Sequence, residues 1–159
     1  TGKIVDLDLA AWRTNFKANL DAVFLATKKV LPWMQEAKKG SIVNVASVVG
    51  LKGVAYMSAY GAAKAGLINF TRATAIEAAP HIRVNCVIPG AVMTPATERA
   101  IPDSKLMEAT VNTIPLKRIA QPSELAKPIA FLLSSDASFI TGASLVIDGG
   151  KTADLNAGN

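Results

Sequence analysis

Tyr60 and Lys64 stand four residues apart in a stretch whose apolar spacing predicts a helix. That separation puts a phenol and an ammonium on one helical face, about a turn apart. The combination bears on proton transfer. A free tyrosine titrates near pH ~10, and a neighbouring ammonium stabilises the phenolate, each unit of lowering corresponding to about 1.4 kcal/mol. Alone, the pair reads more readily as a lysine stem lying along a core aromatic ring. It has company, however. Ser47 closes a β-branched run at the end where open parallel sheets place their ligands, and a hydroxyl there can donate to a carbonyl or alkoxide oxygen. Pro89-Gly90 ends a second such run and Thr94 follows in its loop, so three sites converge on one end of the sheet. Tyr56 competes with Tyr60 by position, but no lysine lies four residues after it. Cys86 and His81 are five apart on an extended segment, which turns their side chains to opposite faces and sets them aside as nucleophile and base. Cys86 reads as core and His81 as surface.

Elements must hold these groups. Trp12, Phe16, Leu20 and Phe24 recur every four positions after the cap candidates Asp6 and Asp8, predicting one long amphipathic helix over roughly 9–38. Pro32 should kink or break it, and Gly40 stops it. A strand follows over 41–47, a loop over 48–57, and a helix over 58–79 with a face rich in small residues. Residues 82–88 form a second strand. After it come a loop with Pro95 and Pro102, a helix near 103–112, a helix over 123–135 capped by Ser123, and a third strand over 143–147. Each strand-to-strand connection is long enough for a crossover, so the expected architecture is α/β, a parallel sheet covered by helices.

Composition bounds the alternatives. Half of the 159 residues are apolar and 18% are charged, which suits a single core of ordinary size and excludes a disordered chain. The net charge of +5 is spread thinly, with Lys28-Lys29 and Lys38-Lys39 among its few basic pairs, a solvated surface pattern and not a nucleic-acid patch. The single cysteine rules out an intramolecular disulfide and a cysteine-based zinc site. No window approaches the roughly 18 apolar residues of a membrane span, and no signal region opens the chain. A soluble, cytoplasmic protein without membrane or nucleic-acid partners is expected.

Ser47 lies thirteen residues before Tyr60, within Asn44-Val45-Ala46-Ser47 and Tyr60-Gly61-Ala62-Ala63-Lys64. In this the chain resembles the short-chain dehydrogenase/reductase family. Asn19-Leu20 is similar to the family's catalytic asparagine region, residues 83–90 to its strand and turn after the active-site helix, and Asp148-Gly149-Gly150 to its C-terminal signature. The resemblance implies an NAD(P)-dependent oxidoreductase that moves hydride between nicotinamide and a carbonyl or secondary alcohol. By it, Tyr60 is the general acid or base, and Ser47 holds the substrate oxygen. Lys64 lowers the tyrosine pKa and binds the nicotinamide ribose, while Asn19 positions a water that links Lys64 to solvent. Pro89, Gly90, Val92 and Thr94 grip the nicotinamide carboxamide, and Tyr56 borders the substrate pocket. The cofactor is NAD or NADP, no metal is called for, and the first helix with helix 58–79 resembles the pair that joins family dimers and tetramers. The bacterial-type members that act on oxoacyl carriers, sugars or secondary alcohols are the nearest in pattern.

The chain departs from the family in lacking the glycine-rich turn, the residue that reads the ribose 2′ position and an Asn-Asn-Ala-Gly-like segment. No glycine-rich turn follows a strand here, so the cofactor-pyrophosphate half of a Rossmann-like doubly wound sheet is missing. Residues 1–150 read as the C-terminal portion of one such domain and 151–159 as a polar tail. Two expectations follow. The chain is a fragment of an oxidoreductase, inactive alone, or it is a non-catalytic interaction module derived from this fold. The complete set of catalytic-type residues favours the first.

Overall fold

The computed structural model describes residues 1–101 and 103–154. Pro102, one of the two expected loop prolines, and 155–159, most of the expected tail, lie outside the described residues. Asp8 opens helix α1 (Leu9–Phe16) by accepting the Ala11 N–H at 2.6 Å, as a short acidic side chain at a helix start does. The long helix expected over 9–38 is interrupted, but not at Pro32. Residues Lys17–Asp21 form a π turn in which the Ala22 N–H bonds the Lys17 carbonyl, and α2 (Ala22–Glu36) then runs straight through Pro32. Pro32 and Lys28 are both exposed, so the carbonyl left without a partner by the proline can be hydrated and the helix continues.

Three parallel strands follow in the order β1-β2-β3: β1 (Gly40–Val45), β2 (Ile82–Pro89) and β3 (Ser144–Ile147). Asn44 pairs with Cys86 and Cys86 with Ser144 in register. Helix α3 (Ser58–Ala78) is the crossover from β1 to β2. The return to β3 carries α4 (Pro95–Ala100), α5 (Ser104–Asn112) and α6 (Pro122–Leu133). The α/β architecture with a parallel sheet is therefore as expected. Strand β2 is covered on both faces, as the middle strand of a parallel sheet must be. Cys86 and Ile88 pack with Ala46, Leu67 and Ile68 under α3, while Val87 packs with Leu132 and Ala137 on the α6 side.

Two details differ from expectation. Helix α6 begins at Pro122, not behind a Ser123 cap, because Glu124 accepts the Gln121 N–H at 2.9 Å and Arg118 clamps the same carboxylate with two bonds of 2.6 Å. Arg118 and then the Gln121 amide hold that carboxyl at about 2. The stretch after Pro89-Gly90 is also not all loop. Thr94 caps α4 and Pro95 takes its first turn, a pairing in which the fixed proline φ suits the helix start. At the opposite end of the sheet, Arg83 donates to the carbonyls of Leu132 at 2.7 Å and Ser134 at 2.8 Å, tying the end of α6 to β2.

Candidate active site

Strand β1 ends at Val45, two residues short of Ser47, which adopts an extended conformation (φ −165°) and opens a 3₁₀ turn over Val48–Gly50. The Ser47 Oγ accepts the Val49 N–H at 3.3 Å. A hydroxyl used as acceptor in this way keeps its own proton for another oxygen.

That turn is pressed against α3. A Cβ built on Gly50 would lie 2.8 Å from the Lys64 carbonyl carbon, and one on Gly61 would lie 3.0 Å from the Val49 oxygen. The two glycines let backbone meet backbone, which brings the turn beginning at Ser47 onto the helical turn carrying Tyr60 and Lys64. Gly50→Ala is therefore expected to push the turn off α3 and to cost about 1–3 kcal/mol of stability in chemical denaturation. A variant as stable as the parent would show that this contact yields.

Tyr60 and Lys64 are both half-buried, with the Lys64 Nζ 5.7 Å from the Tyr60 ring centroid. The same ammonium donates to the Val45 carbonyl at 3.0 Å, so it bridges α3 and the end of β1. Burial lowers the Lys64 amine from the ordinary lysine value, and the charge interaction with Cys86 opposes this. Burial in turn pushes the Cys86 thiol up, against the Ala46 backbone, the Thr71 hydroxyl and the Lys64 charge. Cys86 is fully buried, in keeping with a core residue, and His81 is exposed.

Asn19 lies in the π turn, which packs against α3. Its neighbour Leu20 fills the space over Gly66, two residues past Lys64. The Asn19 amide donates to the Asn15 carbonyl at 3.0 Å and not to Lys64 or Tyr60. The break in the helix, which apolar spacing does not reveal, thus coincides with Asn19. π turns of this kind recur at functional sites.

The loop after β2 is built on the same end of the sheet. The Gly90 N–H bonds the Ile147 carbonyl at 2.9 Å, and a Cβ on Gly90 would meet Asp148 at 2.8 Å. Asp148 accepts the Gly150 N–H together with the amide and hydroxyl of Thr152. Burial alone would raise this carboxyl, but the Thr152 and Gly150 donors hold it low. Val92 pairs with Ala120, and its carbonyl takes the Thr97 hydroxyl at 2.6 Å. Thr97 gives its proton to Val92, so Thr94 is the donor in the 3.0 Å bond between the two threonine hydroxyls, and Thr94 also accepts the Thr97 N–H. Thr94 is thus committed inside the loop. Thr97 is the residue that sequence reading missed, and the Thr94-Pro95 cap signal would have found its helix. Tyr56 is exposed and left-handed (φ 67°), with its carbonyl accepting the Gly2 N–H.

Among the described residues no helix is long and apolar enough to cross a membrane, and no group of three or more His, Cys, Asp or Glu is placed to hold a metal ion.

A family model described as enoyl-(acyl carrier protein) reductase matches residues 1–152. Cyclopentanol dehydrogenase of Comamonas sp. is 41% identical over 152 residues, covering 95% of this chain and 61% of that protein. A solved short chain dehydrogenase/reductase family protein superposes with a TM-score of 0.89 at 35% identity, covering 96% of this chain and 63% of its own. A 4-hydroxyisoleucine dehydrogenase mutant complexed with NADH and succinate gives 0.92 at 35% identity, with 98% and 65% covered. The chain spans about three fifths of the length of the curated relatives it matches.

Proposed function

Because the chain belongs to the short-chain dehydrogenase/reductase family, we propose that it is the C-terminal portion, residues 1–150 with a tail, of an NAD(P)-dependent oxidoreductase acting on a secondary alcohol or its ketone. The observation that carries this reading is the Lys64 ammonium set between the Tyr60 ring and the Val45 carbonyl, on the helical turn that packs against the Ser47 turn.

The residues present fit one end of a nicotinamide cofactor. Lys64 gives one of its three N–H groups to Val45, and a ribose diol suits the others. Pro89, Gly90, Val92 and Thr94 frame the same end of the sheet, with Thr94 exchanging its bond to Thr97 for one to a carboxamide. When bound, NAD or NADP supplies the hydride chemistry.

The chain's own residues handle the proton and the oxygen. Ser47 donates its uncommitted O–H to the substrate oxygen. Tyr60 binds the same oxygen and gives its proton to it in reduction, or takes one in oxidation. The Lys64 ammonium favours negative charge on the Tyr60 oxygen during transfer, and Asn19 holds a water that returns a proton through Lys64. A substrate oxygen held by two donors is fixed in place before transfer, which is where such sites gain most of their rate.

The relative named for cyclopentanol supports a small apolar substrate. Exposed Phe24, Trp33 and Ile76 on α2 and α3 support a homodimer or homotetramer, and the free buried thiol of Cys86 suits a reducing, cytoplasmic setting. The test is direct. The full-length protein is mixed with NADH or NADPH and a panel of cyclic and linear ketones, and nicotinamide absorbance is followed. Ketone-dependent cofactor oxidation is expected, and none across the whole panel would overturn the reading.

A further inference from the structure

The buried face of α3 is made largely of small side chains, among them Ala59, Ala63, Ala75 and Ala78, with Leu67 and Ile68 as the large ones. Alanine ridges are shallow, so such a face lies close to the sheet but keys weakly against sliding along it. Among the described residues, α3 makes polar contact with the sheet at two positions, Lys64 and Thr71. One is Lys64 on the Val45 carbonyl. The other joins residues 27 apart in the chain: the Asn44 Nδ2 donates to the Thr71 Oγ1 at 2.9 Å. Asn44 is 6% exposed and Thr71 not at all.

The Thr71 hydroxyl is fully defined, since it donates to the Leu67 carbonyl at 2.8 Å while accepting from Asn44. The Cys86 thiol, opposite Asn44 in register, borders the same hydroxyl. Any slip of α3 along β1 would leave a buried carboxamide donor without a partner, a costly state in a dry interface. The attractive apolar contacts would change far less. Directional buried polar pairs are well suited to specifying register for this reason.

We propose that Asn44 and Thr71 are positioning residues, their buried hydrogen bond setting the lengthwise register of α3 on β1 so that Tyr60 and Lys64 meet the turn that begins at Ser47. Thr71 lies two turns beyond Lys64 on the same helix, so an error in its seating is carried rigidly to the reacting end. The inference rests on the reading of Tyr60 and Lys64 as the proton-handling pair. The titratable groups facing Lys64 are Tyr60 on its own helix and Cys86 on β2, with the Val45 carbonyl as its contact on β1.

The experiment compares Thr71→Val, Thr71→Ser and the double variant Asn44→Leu/Thr71→Val in the full-length protein, with Tyr60→Phe as reference. Three quantities are read: kcat and KM for ketone reduction, and the pH dependence of Lys64 acetylation by acetic anhydride in the cofactor-free protein, followed by mass spectrometry. Thr71→Val is expected to lower kcat about tenfold with KM little changed. It should also move the Lys64 labelling curve up toward that of an ordinary exposed lysine, and Thr71→Ser should restore both. The double variant replaces the pair by apolar contact, so it folds even where Thr71→Val does not, and it stays slow. A Lys64 curve and kcat unmoved by the loss of the hydroxyl, whatever the melting temperature, would overturn the proposal. So would a fast double variant, or a Thr71→Ser that recovers nothing. Full turnover in Tyr60→Phe would instead sink the proton-transfer reading, while the Lys64 curve still decides the register.

Discussion

Tyr60→Phe in the full-length protein is expected to lower kcat about 10²–10⁴-fold, the usual worth of a positioned proton donor, while nicotinamide affinity stays within a few-fold. The asymmetry follows from what the ring touches. Phenylalanine keeps the aromatic body that Lys64 overlies at 5.7 Å, so the helix, the ammonium and the Val45 bridge have no reason to move. What disappears is one oxygen and its proton. On the proposed reading Ser47 still binds the substrate oxygen, so KM should rise only modestly, and the loss falls on the step in which the proton moves. Steady-state kinetics with cofactor titration by fluorescence separates the two effects. A variant that turns over like the parent would remove Tyr60 from the chemistry. One that loses cofactor binding and turnover together would recast it as a structural residue.

Legibility in the sequence depends on the range of the interaction. Tyr60 and Lys64 were readable because a four-residue spacing on a helix is a local fact, and Ser47 because strand ends are marked by β-branched runs. The crossover architecture followed from the lengths between those runs. The π turn at Lys17–Asp21 was not readable, since its five-residue hydrogen bonds leave the apolar spacing nearly intact, whereas Pro32 advertises a break that solvent exposure makes unnecessary. Helix α4 was hidden for a different reason. Thr94-Pro95 is a helix-start signal, but two prolines in one stretch read as loop. The Asn44–Thr71 bond was out of reach altogether, because nothing local links residues 27 apart and only the packing of α3 on β1 brings them together. Ser47 shows the same limit at short range: its type was informative, but its uncommitted proton depends on which amide it accepts.

Lys64→Met is the second large effect expected, and it should divide function from stability. Turnover should fall about 10²-fold or more, and nicotinamide affinity should fall with it, because on the proposed reading the same ammonium supports the Tyr60 oxygen and offers donors to the ribose. Stability is expected to behave differently. Burial lowers the Lys64 amine, so the folded protein releases this proton at a lower pH than the unfolded chain does. Between that lowered value and the ordinary lysine value the unfolded state binds more protons, and stability rises with pH across this window. Below the window both states are charged, and the full cost of holding a half-buried ammonium is present at neutral pH. Methionine has a similar stem and no charge, so the cofactor-free variant should be at least as stable as the parent at neutral pH. The parent should then gain on it as the pH climbs through the window toward 10.5. Paired denaturation curves at neutral and alkaline pH read this directly. A variant that is less stable at neutral pH, with a gap that does not change on raising the pH, would mean that the Val45 bridge outweighs desolvation and that Lys64 is a structural clamp. The expected result, lost activity with retained or improved stability, is the signature of a charge kept in a poor solvent because the reaction needs it there.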